Sequence, residues 1–104
     1  MAGIGGCRSS GTFIIDTLIF TGRGKLVSIH GMAIADSEAY VKIYDGTSAS
    51  GTIIGTLYVG GTAPTNNAPA FAEADMHGVI FKNGLYADIT HVTNTDAMFT
   101  VEFN

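Results

Sequence analysis

Charge is what this 104-residue chain has least of. Asp, Glu, Lys and Arg together make up 13%, about half the roughly 25% usual in soluble domains. A lone monomer normally stays in solution by a dense mixture of surface charges. A chain this short of them must expose hydrated Thr-, Ser- and Asn-rich surface, or cover its surface with another subunit. Cysteine is almost missing too: the single Cys7 excludes a disulfide framework and an all-cysteine metal site. Cations are outnumbered five to nine, for a net charge of −4. That balance argues against nucleic acid, because binding phosphate needs basic clusters. No apolar run approaches the roughly 20 residues of a membrane helix. The longest, Phe13 to Phe20, is broken by Asp16 and Thr17.

Targeting signals are also wanting. Met1 to Gly11 has neither a positive leader nor the apolar stretch of about 7–15 residues that a secretory signal requires. Ile4-Gly5-Gly6-Cys7 looks like a lipoprotein box without the inserting segment that would present it. Ala2 stands where myristoylation needs glycine. Synthesis in a cytoplasm without standard export is the expectation.

What the chain does have is enough apolar residue, 46% with 10% aromatic, for one packed domain that buries roughly 65% of its extended-chain surface. Residues 1–11 hold four of the fourteen glycines. They read as a flexible arm before a domain spanning 12–104. Charge divides unevenly along the chain. Arg8, Arg23 and Lys25 against Asp16 give residues 1–25 a net +2. Lys42 and Lys82 against eight carboxylates give the remainder −6. A basic leading segment beside an acidic body favours docking between copies.

Six or seven short strands account for the domain. Thr12–Phe20, Lys25–Ala35, Ala39–Asp45, Thr52–Val59, Leu85–Val92 and Ala97–Phe103 are rich in β-branched and aromatic residues or alternate in polarity. Ala70–Met76 is a further strand, since no useful helix fits between Pro69 and Gly78. Gly31 should mark a bulge or a close approach, and Asn83-Gly84 a hairpin turn. Val41/Ile43, Leu85/Ala87/Ile89 and Phe99/Val101/Phe103 supply the inner faces of two sheets. The predicted fold is therefore all-β: a single antiparallel β-sandwich, jelly-roll or Ig-like, with a short Gly-rich N-terminal arm.

Chemistry is sparse. Asp75 and His77 share a face in an extended chain, but His30 and His91 follow no metal-ligand spacing. Glu73 and Asp75 lie along one wall, not across a cleft as glycoside hydrolysis requires. Asp45-Gly46 lacks the rest of a calcium loop and reads as a turn cap. Ser48 and Ser50 have no histidine beside them, and Cys7 has no base. No catalytic residue, metal or cofactor is expected. Tyr40, Tyr44, Tyr58 and Tyr86 could stack on sugars.

The runs Val41 to Thr52 (VKIYDGTSASGT), Met76 to Thr90 (MHGVIFKNGLYADIT) and Met98 to Asn104 (MFTVEFN) resemble a class of small tailed-bacteriophage virion proteins. That resemblance implies a non-enzymatic β-sandwich of the capsid-decoration or cement type, placed on the capsid surface and assembled in the host cytoplasm. Its implied partners are the major capsid protein or other virion proteins. Homo-oligomer formation, without nucleic acid or membrane, is expected alongside. The first strand, with one charge and no proline, makes a poor free edge. The expected protein-contact residues are accordingly Cys7, Arg8, Phe13, Ile15 and Arg23. The alternative function is a glycan-binding or adhesin-like head-fibre or tail module using the tyrosines and Asn66-Asn67.

Overall fold

Period-two alternation sets the layout of the sandwich. Along its last strand Phe99, Val101 and Phe103 are buried while Met98, Thr100 and Glu102 face outward. The computed structural model describes residues 7–34, 37–60 and 70–104. They form eight strands: β1 (Arg8–Phe13), β2 (Thr17–Thr21), β3 (Gly24–Ala33), β4 (Glu38–Asp45), β5 (Thr52–Gly60), β6 (Ala70–Phe81), β7 (Gly84–Thr93) and β8 (Ala97–Phe103). No helix occurs among the described residues.

Two antiparallel four-stranded sheets pack face to face, with orders β1-β8-β3-β6 and β2-β7-β4-β5. Consecutive strands alternate between the sheets, except β4 and β5, which form a hairpin through Gly46–Gly51. Of the two architectures the sequence allowed, this strand order is that of the eight-stranded jelly roll. The core between the sheets is built from Leu26, Ile29, Val41, Ile43, Phe81, Leu85, Phe99 and Val101, all essentially inaccessible. Full burial of such side chains contributes about 1.5–3 kcal/mol each.

Several strand expectations need correction. Thr12–Phe20 is not one strand. The chain leaves the first sheet after Phe13 and enters the second at Thr17. Asp16 fixes that corner by accepting the Ile89 amide at 2.9 Å, and the Thr17 hydroxyl donates to the Ile15 carbonyl at 2.8 Å. Strand β1 already begins at Arg8, within the segment read as an arm; residues 1–6 of that arm, like Asn66-Asn67, lie outside the described residues. Strand β6 runs on through His77 (φ 55°) to Phe81, opposite the bulge at Val27. That extra residue lets Leu26 and Ile29 both face inward. Gly31 is a close approach, since a Cβ there would lie 3.0 Å from the Phe99 ring.

Asn83-Gly84 does not turn a hairpin, because β6 and β7 belong to different sheets. It forms a corner. The Asp45 carboxylate accepts the amides of Lys82 (3.0 Å) and Asn83 (2.8 Å), and a Cβ on Gly84 would strike the carbonyls of Gly46 and Phe20 at 2.7 and 2.9 Å. These bonds, that from Asn83 foremost, hold the Asp45 carboxyl below its ordinary pKa. Its contribution to stability is thus present above the usual Asp range and lost as pH falls through the lowered value. Asp45→Ala should destabilise the fold by about 1–3 kcal/mol at pH 7. In urea melts that difference should shrink toward pH 3.

Candidate functional site

The alternation that builds the core leaves two outer faces and two ends. On the outer face of the first sheet, register aligns Met98, Met32 and Phe71 across β8, β3 and β6. Phe71 is 72% exposed and ends an apolar stripe. A polar cluster adjoins it. The Ser28 hydroxyl donates to Glu102 Oε1 at 2.6 Å, while His30 Nε2 lies 3.0 Å from Ser28 Oγ and 3.3 Å from Glu102 Oε1. Glu73 Oε2 stands 4.0 Å from His30 Nδ1.

Ser, His and Glu in this proximity invite comparison with a nucleophile and its base. The hydrogen-bond chemistry argues otherwise, because the Glu102 carboxylate can only accept. Ser28 gives its hydrogen to Glu102, so Nε2, facing two oxygens, is the donor and does not activate the hydroxyl. The cluster instead ties β3 to β8. Its bonds from Ser28 and then His30 hold Glu102 below the ordinary Glu pKa.

The outer face of the second sheet carries all four tyrosines. Tyr40 pairs with Tyr58, and Tyr44 pairs with Tyr86. The Tyr58 hydroxyl donates to the Glu38 carboxylate, and the Lys42 ammonium sits 5.8 Å from the centre of the Tyr40 ring. Tyr44 is only 9% exposed, so it supports its neighbours and is not available for stacking. Lys42 also lies across from Asp88. Partial burial, followed by neighbouring Asp16, pushes the Asp88 carboxyl up from its ordinary value.

The residues read as contacts do not form one surface. Cys7 and Arg8 are exposed at the start of β1, with the Arg8 guanidinium 5.5 Å from the Phe20 ring centre. Arg23 lies at the same end, in the turn between β2 and β3. Phe13 is 8% exposed and belongs to the core. Ile15, 70% exposed, projects from the β1–β2 corner toward the opposite end. Asp75 spends Oδ1 on the His77 amide (2.9 Å), and no three metal-ligating side chains converge among the described residues. The tyrosine face was half visible in the alternation of β4. The Ser28–His30–Glu102 cluster was not visible, because it needs cross-strand register.

Comparison with known proteins finds no matching family model, no matching curated sequence and no matching solved structure.

Glu102 and Asp88, shifted in opposite directions, predict opposite pH effects. Glu102→Gln should lower the melting temperature at pH 7, and the difference should fade as pH falls below the usual Glu range. Asp88→Asn should raise it at pH 7, because a raised pKa makes ionisation unfavourable to the fold. That gain should vanish once Asp88 is protonated in both states. Thermal melts from pH 3 to pH 8 check both.

Proposed function

We propose that the protein is a non-enzymatic structural module that works by docking on other protein. In the reading that its motif resemblance suggests, it is a capsid-decoration or cement protein of a tailed phage. The observation that carries the docking role is exposed apolar bulk on a surface poor in charge. Ile14, Ile15, Leu18, Phe71, Ile80 and Val92 all stand exposed on a chain that is 13% charged. The jelly roll is compatible with this role and does not select it, because that architecture hosts capsid and lectin domains alike. The mechanism is linkage: binding the assembled shell in preference to loose subunits stabilises the shell by mass action.

The phage assignment has a direct test. Purified particles from the phage encoding the chain should carry it through density-gradient sedimentation, and immunogold should label the heads. Particles lacking it should lose their genome at lower temperature. Absence from the particles overturns the virion reading.

One observation favours a second reading. Tyr40, Tyr58 and Tyr86 share an open sheet face with Lys42 and Asp88, and aromatic rings with nearby polar groups suit sugar stacking. A glycan array probed with the intact chain should then give hits that Tyr58→Ala weakens by about tenfold or more. A blank array removes this alternative.

A further inference from the structure

The two ends of the sandwich differ in charge. Arg8 lies opposite Phe103, Gly24 opposite Phe81 and Lys25 opposite Ile80. That register gathers Arg8, Arg23, Lys25 and Lys82, four of the chain's five cations, where β1 and β3 begin and β6 and β8 end. Arg23, Lys25 and Lys82 line a cleft of about 530 Å³. Its apolar lining comes from Phe81 and from Ile80, which is 61% exposed. Among the described residues none of these three cations is in a salt bridge. Three carboxylates lie around this end, Asp45 beside Lys82, Glu102 on Ser28 and Asp75 on the His77 amide, and the four cations outnumber them.

The opposite end has the complementary character. Its β1–β2 and β3–β4 connections bring Ile14, Ile15 and Ile34 to the surface, and the end of β7 adds Val92. The Ile34 amide bonds to the Asp96 carbonyl at 3.0 Å, and His91 Nε2 donates to the Ile14 carbonyl at 2.7 Å, so these corners are tied to one another. Glu38 and Asp96 supply negative charge there, and no Lys or Arg is present among the described residues of this end.

We propose that these ends are the two halves of one heterologous contact between copies of this chain. The cationic, apolar-lined cleft of one copy receives the acidic, isoleucine-bearing end of the next. Opposite potentials orient the approach, and Ile15 leaves water against the exposed Ile80. Head-to-tail contacts of this kind close into rings or run on as filaments. The proposal deepens the docking role above by naming a second copy as partner, and its test in purified solution is separate from any test on particles.

Analytical ultracentrifugation of the full chain at about 0.1 mM protein supplies that test. At low ionic strength the average mass should exceed 10.8 kDa, rise with concentration and fall as salt shortens the screening length. Lys25→Glu/Lys82→Glu and Asp96→Lys, each verified as folded by circular dichroism, should each weaken association by about tenfold or more. Their equimolar mixture should restore it, since each then meets an end of opposite sign. Ile15→Ser covers the apolar half and should weaken association without changing its salt dependence. A wild-type chain that stays monomeric under these conditions overturns the proposal. So do folded charge variants that associate as the wild type does, or a mixture that fails to restore association.

Discussion

Everything in this fold depends on strands that change sheet at nearly every connection. Apart from β4 and β5, no strand pairs with its neighbour in sequence, so each must find partners far along the chain. β8 lies between β1 and β3, which joins the first and last strands within one sheet. The core therefore closes only when distant segments are all in place, and non-local pairing of this kind folds slowly. Tight corners make it geometrically possible. The corner at Lys82–Gly84 is the clearest, with Asp45 reaching from β4 to hold two amides and Gly84 fitting between two carbonyls.

The same connectivity explains the division of chemistry on the surface. Corners collect at the two ends, and the sheet faces receive whatever alternates with the core. Along β4 that is Tyr40, Lys42 and Tyr44; along β8 it is Met98, Thr100 and Glu102. The most reactive-looking cluster, Ser28 with His30 and Glu102, spends its protons on holding strands together. The few charges and several exposed apolar side chains are the features on which the proposed docking role rests.

Much of this was legible in the sequence, and the failures are instructive. Alternation at Val41/Ile43 and Phe99/Val101/Phe103 reports burial directly, so strands and inner faces could be read locally. Asn83-Gly84 was misread because a turn dipeptide says only that the chain reverses. Whether it returns to the same sheet or crosses to the other is decided by partners elsewhere. The run from Phe13 to Phe20 misled for a related reason: its apolar residues serve the core, a corner and an outer surface in turn, and only the crossing at Asp16 separates these roles. The polarity of the ends was hidden more deeply. Arg23 and Lys25 are close in sequence, but Lys82 joins them only through the register of β6 on β3.

Edge protection follows from the shortage of charge. Exposed edge strands invite pairing with other chains, and proteins commonly blunt them with lysine, proline or irregular backbone. Here the four edge strands are β1, β6, β2 and β5, and each pairs with its inner neighbour through a shifted register. Bulging therefore does the work that charge does in other sandwiches, and β1 and β2 are also short, at six and five residues. Addition of a neighbour's strand to such an edge is disfavoured, because a bulged strand does not offer a continuous ladder of hydrogen-bonding groups. This shifts the expectation drawn from the first strand, whose lack of charge suggested edge pairing with a neighbour. The docking proposed above therefore uses side chains on the faces and ends, where the exposed isoleucines, Phe71 and the segregated charges lie.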